Sequence, residues 1–546
     1  MGAAGAGALA LGVPAVASTA AGAARGDTPS RLVFQHGVAS GDPLPGGVIL
    51  WTRVTPTADA APGSGRGGRS SLIWEVAADR SFGSVVVSGA VSTDASRDHT
   101  VKVDVSGLAP KALYWYRFRV TGGPAAGAVS TVGRTKTAPA TDADVAKVKF
   151  GVVSCSNWEA GYFAAYRHLA KRSELDAVVH LGDYIYEYGA GEYGGKNGPV
   201  RTHRPAHDIV SLADYRIRHG QYKTDPDLQQ LHGTLPFIVT WDDHETADNS
   251  YRSGAENHDP AKQGSWAARK ANADKAYYEW MPVRPAVSAG NRHIYRRLRY
   301  GRLLELSMLD LRTYRDREAS RFGKQSDSNT TTITGRAQME WASGGIVTSP
   351  TTWQFIGNSV MVAPFLLPPL NPDTTKALTD LVGIPEHGVP FNTDQWDGYT
   401  KDRARLLDAA DRAGRKNVVF LTGDIHMSWA NDIPRNAGDY PRAGTLGTEF
   451  VVTSVTSNNV DDMVKAPEHT VGNAAAAAIQ ATNHHARWVD TDAHGYGVLT
   501  VTSAAAQMDW YSLNDRADKH TGEYHAQSWK VGAGTRRMTK AAGPAR

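Results

Sequence analysis

Four apolar strands, each followed at once by polar side chains, constrain the fold of this 546-residue chain more than any other feature. The predicted strands are residues 148–154, 176–181, 237–241 and 417–422. A helix is predicted at 161–172, and strands that alternate with helices indicate an α/β layer architecture. In open α/β sheets, ligand sites form beyond the carboxyl ends of the strands. We therefore expect the four strand ends to meet at one site.

The side chains at these four strand ends are of the types that bind metal ions. They are Cys155; Asp183 and Tyr186; Asp242, Asp243 and His244; and Asp424 and His426. Adjacent carboxylates repel each other unless a cation or solvent relieves the repulsion. Imidazole and carboxylate oxygen suit hard to borderline cations, and thiolate and tyrosinate favour iron among these. The sequence therefore predicts a two-metal centre, a device that activates water for in-line displacement at phosphorus.

Cys155 is the only cysteine, so the chain cannot form an intramolecular disulfide. A lone cysteine is usually buried and inert. A bound metal would instead keep the thiol deprotonated and protect it from oxidation. The residues alone leave both interpretations open.

Residues 1–30 form a segment of separate character. From Gly2 to Ala24 the segment carries no charge, and it ends in Ala-Gly-Ala-Ala. An apolar run with small residues at its end is typical of an export signal, although no basic region precedes it here. We interpret the segment as a truncated remnant of a signal, of the twin-arginine type, and expect a secreted protein that is exported folded. The alternative is an Ala/Gly tail.

Residues 31–140 have the pattern of a β domain. Strands are predicted at 48–54, 72–77 and 113–120, and in the third the residues from Tyr114 to Val120 alternate between two faces. Turn-rich segments separate these strands. The segment resembles the late strands of fibronectin type III domains and predicts an N-terminal β-sandwich.

Composition excludes several classes of protein. The 14 Trp, 21 Tyr and 12 Phe argue against intrinsic disorder, because so many aromatic side chains can build a core. A net charge of +4 gives no support for nucleic-acid binding through charge. We predict no transmembrane segment, since Gly and Pro interrupt the N-terminal run and no other segment has the required length and apolarity.

Eight short motifs together resemble one known family, the PhoD family of secreted alkaline phosphatases and phosphodiesterases. This family belongs with the calcineurin-like metallophosphoesterases and includes secreted, iron-dependent Streptomyces phospholipases D of the non-HKD type. The motifs lie at residues 34–43, 154–157, 181–187, 241–245, 309–315, 394–399, 423–426 and 454–457. The resemblance implies an α/β metallophosphoesterase sandwich at 145–510, with central β-sheets flanked by helices. The N-terminal fibronectin-like β-sandwich domain would precede it, and a C-terminal segment, 511–546, would follow.

The resemblance also implies roles for individual residues. It assigns an Fe³⁺ ion to Cys155, Asp183, Tyr186 and His426, with Asp183 bridging to a second site. Ca²⁺ at that site would be held by Asp243 and Asp424. His244 would contact the phosphate and protonate the leaving oxygen. The usual first motif of the wider superfamily, Asp-x-His, is replaced by Ser-Cys-Ser-Asn at 154–157, which favours iron over a Zn/Zn or Mn/Mn centre.

Further site candidates are weaker, and each has a structural alternative. Asn157 and Asn249 are candidates that could instead hydrogen-bond their own turns. Asp242 belongs to the adjacent carboxylate pair. Arg312 or Arg315 could clamp a phosphate oxygen, or could form only salt bridges.

The implied activity is hydrolysis of phosphodiesters, and also of monoesters, by a metal-bound hydroxide at an Fe³⁺/Ca²⁺ centre. Phospholipase D activity that releases phosphatidic acid is the alternative within the same chemistry. An inactive secreted binding protein is the alternative from another class. The C-terminal segment, with Trp510, Tyr511 and Trp529, could cover the site or touch a lipid surface, or could consist of packed edge strands.

Overall fold

The computed structural model describes residues 30–288 and 291–546. We interpret residues 1–30 as an export signal, and all of this segment except Ser30 lies outside the described residues. Among the described residues, no helix combines the length and apolarity needed to cross a membrane.

The described residues form the following strands and helices. The strands are β1 Val38–Leu44, β2 Gly47–Arg53, β3 Ser70–Ala77, β4 Val85–Thr93, β5 Thr100–Ser106, β6 Leu113–Gly122, β7 Gly133–Lys136, β8 Lys147–Val153, β9 Ala177–His180, β10 Phe237–Val239, β11 Ala286–Ser288, β12 Asn291–His293, β13 Arg296–Tyr300, β14 Leu304–Met308, β15 Trp353–Asn358, β16 Val418–Thr422, β17 Ser428–Pro434, β18 Thr445–Val451, β19 Ala486–Asp490, β20 Gly495–Thr502, β21 Ala505–Leu513, β22 Glu523–Gly532 and β23 Met538–Lys540. The helices are α1 Ser30–Val33, α2 Ala164–Ala170, α3 Leu212–Tyr222, α4 Pro226–His232, α5 Pro260–Gln263, α6 Trp266–Trp280, α7 Arg336–Thr348, α8 Pro372–Val382, α9 Thr400–Arg412, α10 Val460–Met463 and α11 Val471–Thr482.

Two large mixed sheets build the main body. One has ten strands in the order β23-β22-β21-β20-β8-β9-β10-β1-β2-β5, and the other has seven in the order β13-β14-β15-β16-β18-β17-β19. Strands β8, β9 and β10 are parallel, as are β14, β15, β16 and β18. Strands buried on both faces are near-continuous apolar runs, which explains why these segments could be identified in the sequence.

The two sheets pack face to face, and helices cover their outer faces. Phe150 and Val179 of the ten-stranded sheet share one buried cluster with Phe355 and Leu421 of the seven-stranded sheet. A second cluster joins the ten-stranded sheet to α2, α4 and α6, and a third joins the seven-stranded sheet to α7 and α9. The result is a helix–sheet–sheet–helix sandwich, as the sequence predicts.

The N-terminal β-sandwich shares a sheet with the body. Strands β3, β4, β6 and β7 form a separate four-stranded sheet, whereas β1, β2 and β5 extend the ten-stranded sheet. The alternation predicted in β6 is present, because Tyr116 and Phe118 are buried against Leu50 and Val101. The N-terminal strands meet the body where β1 runs parallel to β10 at Gly41. Only glycine fits there, because a Cβ at residue 41 would lie 1.9 Å from the Pro282 carbonyl oxygen.

The C-terminal segment contains packed edge strands. Strands β21, β22 and β23 complete one edge of the ten-stranded sheet. Trp510 is buried 4.7 Å from the ring of Trp488, Trp529 is buried in the same cluster, and Tyr511 stacks on Tyr496 at 5.4 Å. Their packing corresponds to the edge-strand alternative.

A buried lysine joins the N-terminal sandwich to the body. Lys223 is 1% exposed, and its Nζ lies 3.0 Å from the Tyr184 hydroxyl and 4.7 Å from the ring centroid of Trp51 in β2. Burial lowers the pKa of Lys223 to about 7. An unfolded lysine has a pKa of about 10.4, so between these values the unfolded chain binds one more proton and stability rises with pH.

We predict that Lys223→Met reduces the pH dependence of stability. Between pH 7.5 and 9, the slope of the unfolding free energy against pH should fall by about 1.4 kcal/mol per pH unit, which is the contribution of one proton. Urea unfolding at several pH values measures this slope. The exposed Lys530→Met is the matched control and should keep the wild-type slope. An unchanged slope in Lys223→Met would contradict the prediction.

Candidate metal centre

The four strand ends meet, and they bring the predicted side chains into three overlapping groups. The donor atoms within each group lie within 4.8 Å of one another. The groups are Cys155 with Asp183 and His426; Asp183 with Asp243 and His244; and Asp242 with Asp243 and Asp424. Asp183 belongs to the first two groups and Asp243 to the last two, so the groups form one continuous cluster.

The backbone at the cluster is held in an unusual conformation. Cys155, Asp183, Asp424 and His426 all have positive φ, between 54° and 62°. A residue with a Cβ pays a steric cost in this left-handed region, and such residues concentrate at functional sites. These turns follow the ends of three different strands, and they direct the side chains toward the same point.

Two glycines let the strand ends approach each other. A Cβ at Gly182 would lie 2.5 Å from the Cβ of Asp242, and one at Gly423 would lie 2.7 Å from the Cβ of Ser154. Each glycine immediately precedes an aspartate of the cluster, Asp183 or Asp424. The Gly-Asp pairs therefore have a packing reason as well as a chemical one.

Tyr186 completes the first group as a fourth donor. Its hydroxyl lies 3.1 Å from Asp183 Oδ2 and 3.3 Å from His426 Nε2, and Ser457 Oγ donates to it at 2.6 Å. Burial and the nearby Asp183 raise the pKa of both Cys155 and Tyr186 well above their usual ranges. Ionising both side chains therefore requires a cation among them.

His426 is oriented and neutral, as a metal ligand must be. Its Nδ1 lies 2.7 Å from the Asn458 carbonyl oxygen, so Nδ1 carries the proton and Nε2 faces the cluster. Burial lowers the pKa of His426 to about 3. A carbonyl partner on the second ring nitrogen is the usual way of fixing a ligating imidazole.

Several carboxylate oxygens in the cluster lack a hydrogen-bond partner within the described residues. Asp183 Oδ1, Asp242 Oδ2 and Asp243 Oδ1 are buried and accept no hydrogen bond within the described residues. Burial and neighbouring carboxylates raise the pKa of Asp183 and Asp424 well above their usual range. Buried oxygens of this kind are stabilised by bound cations, so the donor set fits the metal centre that the sequence predicts.

His244 stands at the second group, backed by a carboxylate. Its Nδ1 lies 2.7 Å from Glu187 Oε2, and its ring is 4.2 Å from that of Tyr186. Burial alone would lower the pKa of His244, but Asp243, Glu187 and Asp183 together raise it well above its usual value. With Nδ1 taken by Glu187, Nε2 is the ring nitrogen free to act toward the cluster.

Arg312 is buried among carboxylates. Its guanidinium donates to Asp242 at 2.5 Å and to both oxygens of Asp394 at 3.0 and 2.9 Å, and lies 3.3 Å from Asp424. Arg315 is also buried and pairs with Asp394 at 2.8 Å. These contacts match the salt-bridge alternative for both arginines, which neutralise part of the negative charge.

The two asparagine candidates bind other protein groups. The Asn157 side chain accepts from the Glu159 amide at 2.9 Å and donates to the Tyr193 carbonyl at 2.7 Å, which is the turn alternative. The Asn249 side chain donates to Glu256, and its backbone amide donates to Asp243 Oδ2 at 2.7 Å. Asn249 thus orients Asp243 through its main chain.

The sequence analysis does not predict the roles of Glu245 and Gln395, which hold in place the loops that carry the candidate metal ligands. Glu245 accepts backbone hydrogen bonds from Asp183 at 3.1 Å, Tyr184 at 2.5 Å and Asp242 at 2.7 Å. Gln395 donates to Asp424 Oδ2 and accepts from the Met361 amide. Both residues lie inside motifs already noted, at 241–245 and 394–399, but their roles depend on contacts between distant segments.

Comparisons with known proteins agree with this geometry. Residues 150–510 match the family PhoD-like phosphatase, and residues 18–139 match the PhoD-like phosphatase N-terminal domain. Alkaline phosphatase D of Bacillus subtilis (strain 168) is 37% identical over 496 residues, which cover 88% of this chain and 78% of the relative. The solved structure of PhoD has a TM-score of 0.81 and 33% identity, with 94% of this chain and 92% of that chain covered.

A more distant structure shows the fold alone. A purple acid phosphatase from yellow lupin (Lupinus luteus) seeds has a TM-score of 0.53 at 11% identity, covering 91% of this chain and 73% of that chain. The α/β metallophosphoesterase sandwich predicted from the sequence is thereby confirmed. The fold and the clustered donors define a metal-dependent hydrolase of phosphoric esters. The chain belongs to the PhoD-like phosphatase family.

We predict that Glu245→Gln destabilises the protein by about 1–3 kcal/mol, because an amide cannot accept all three backbone hydrogen bonds and leaves a buried donor unpaired. Chemical unfolding measures the loss. Glu340→Gln is the control, since the Glu340 side chain is 65% exposed and its substitution should change stability by less than about 0.5 kcal/mol. Equal stability of the two variants would show that Glu245 does not hold the ligand loops.

Proposed function

We propose that this protein is a secreted phosphodiesterase that also hydrolyses monoesters, working at an Fe³⁺/Ca²⁺ centre. The observation that carries the proposal is the continuous cluster of donor groups linked through Asp183 and Asp243, one end of which includes a thiol and a phenol. Alkaline phosphatase D, the relative named above, supports the class of reaction. The uncharged, small-residue run at Gly2–Ala24 supports secretion.

The chemical types of the donor atoms indicate which metal ion each part of the cluster would hold. Cys155, Asp183, Tyr186 and His426 would hold Fe³⁺, because thiolate and tyrosinate favour iron. Asp243 and Asp424 offer only carboxylate oxygens beyond the shared Asp183, and these are the ligands of Ca²⁺. When bound, such ions polarise phosphoryl oxygens and lower the pKa of water.

His244 is the group of this chain best placed to move a proton. Glu187 holds Nδ1, and the residual 8% exposure of His244 lets a substrate approach Nε2. The hydrogen bond from Nδ1 to Glu187 favours the protonated ring, so His244 would neutralise a phosphate oxygen and give a proton to the departing alcohol. Glu187 is a positioning residue in this scheme.

Arg312 limits the negative charge of the site. It pairs most closely with Asp242 and Asp394, and also lies 3.5 Å from Asp243 and 3.3 Å from Asp424. A guanidinium fixed by these carboxylates has little freedom to follow a substrate. We therefore assign Arg312 to positioning the carboxylates of the third donor group, Asp242, Asp243 and Asp424, rather than to clamping phosphate.

We predict that Asp183→Asn removes both metals, since this carboxylate belongs to two donor groups. Iron and calcium should both fall well below one equivalent, and hydrolysis of bis(p-nitrophenyl) phosphate should be lost. Emission spectrometry and a rate assay measure these changes. The half-exposed Asp408→Asn is the control and should keep metals and activity. Retention of either metal in Asp183→Asn would contradict the bridging role.

We predict that His244→Ala keeps the metals and loses turnover. The rate on the same diester should fall by about 10²–10⁴, the usual contribution of a positioned proton donor. His520→Ala, an exposed histidine of the C-terminal segment, should leave the rate unchanged. Loss of metal from His244→Ala would make His244 a ligand and overturn its assignment as an acid.

A further inference from the structure

The C-terminal segment places one buried arginine close to the metal centre. Arg516 lies in the loop that follows β21, and it is 8% exposed. Its main-chain carbonyl oxygen accepts from the Tyr162 amide at 2.8 Å, which anchors the loop to the body. Its guanidinium pairs with Asp462 at 2.8 Å. Arg516 belongs to none of the three donor groups, so any effect it has on the metal centre passes through other residues.

The guanidinium of Arg516 holds a segment that lies outside the helices and strands. Residues 455–459 lie between β18 and α10 and belong to neither. Arg516 Nη1 donates to the Thr456 carbonyl oxygen at 2.7 Å, and Nη2 donates to Asn458 Oδ1 at 2.8 Å. Because a guanidinium presents its donors in a rigid fork, one side chain fixes two residues of this segment relative to each other.

Asn458 connects Arg516 to a candidate metal ligand. The Asn458 carbonyl oxygen lies 2.7 Å from His426 Nδ1 and fixes the orientation of that ring. The Asn458 side chain is held at both ends, because Oδ1 accepts from Arg516 and Nδ2 donates to the Gly194 carbonyl oxygen at 2.9 Å. A displacement of Asn458 would therefore turn the imidazole away from its place in the cluster.

The same segment contacts two more residues of the cluster. Ser457 Oγ lies 2.6 Å from the Tyr186 hydroxyl, and the Ser457 amide donates to the Cys155 carbonyl oxygen at 3.3 Å. The segment thus touches three of the four residues at the thiol–phenol end of the cluster. Residues that orient metal ligands in this way typically change metal affinity by about 10–100-fold when they are substituted.

We infer that Arg516 is a positioning residue for His426, that it acts through Asn458, and that it determines how firmly the thiol–phenol end of the cluster holds its metal. The inference rests on the proposed function, since it assumes a metal at the donor group that contains Cys155.

The salt bridge with Asp462 alone does not account for an arginine at position 516. A lysine would supply the same charge, but its single ammonium group lacks the fork that also reaches Thr456 and Asn458. Charge and fork can therefore be separated by experiment.

The test is metal retention by Arg516→Lys, by Asn458→Ala and by the double variant. Arg516→Lys keeps a positive charge beside Asp462, and Asn458→Ala removes the side-chain contacts but keeps the carbonyl group that faces His426. Each purified protein is titrated with EDTA, and its bound iron is measured by emission spectrometry. The EDTA concentration that removes half of the iron should fall about tenfold in each single variant. The double variant should lose iron no more readily than the single variants, because both changes break the same chain of contacts.

Arg442→Lys is the matched control, because Arg442 is 90% exposed, and it should retain iron like the wild type. Circular dichroism verifies that each variant is folded. A role confined to the salt bridge with Asp462 would leave Asn458→Ala at the wild-type level and would overturn the inference. Losses that add up in the double variant would overturn the route through Asn458.

The metal content of the wild type and its hydrolysis of bis(p-nitrophenyl) phosphate test the proposed function separately. If the wild type holds iron and hydrolyses the diester, and the variants retain iron as firmly, the positioning role is overturned and the function stands. If the wild type holds zinc or manganese instead, and the variants release it at lower EDTA concentrations, the positioning role is supported and the proposed Fe³⁺ is contradicted. A wild type that holds no metal contradicts both.

Discussion

Buried negative charge is the constraint on which this structure depends. Asp183, Asp242, Asp243, Asp394 and Asp424 converge near the ends of strands from both sheets, and all but the partly exposed Asp424 are buried. Arg312 and Arg315 neutralise part of this charge. Bound cations would neutralise the remainder, because isolated carboxylates in a low-dielectric interior are strongly destabilising. A metal centre here would therefore stabilise the folded protein as well as supply its chemistry.

Backbone geometry and hydrogen bonds hold the strand ends that carry these carboxylates in place. Both sheets contribute parallel strands whose carboxyl ends meet, and the residues that follow take left-handed backbone conformations. Glu245 ties the loop after β9 to the loop after β10, and Gln395 ties the motif at 394–399 to Asp424.

The sequence predicts the strands, the donor residues and the fold class because buried parallel strands are apolar and end abruptly. Strand β16 begins and ends within one residue of its predicted range. The sequence does not predict that β1, β2 and β5 would extend the central sheet, since strand order depends on long-range pairing. The contacts of Glu245 also escape prediction, because they become visible only once distant segments are in place.

The measurement that tests the central claim most directly is elemental analysis of the purified protein together with its visible spectrum. The account predicts one iron per chain, calcium in addition, and a tyrosinate-to-ferric absorption band from Tyr186. Zinc or manganese in a colourless protein would contradict the assignment of Cys155 and Tyr186 as ligands. A protein that holds no metal would contradict the claim that cations balance the buried carboxylates.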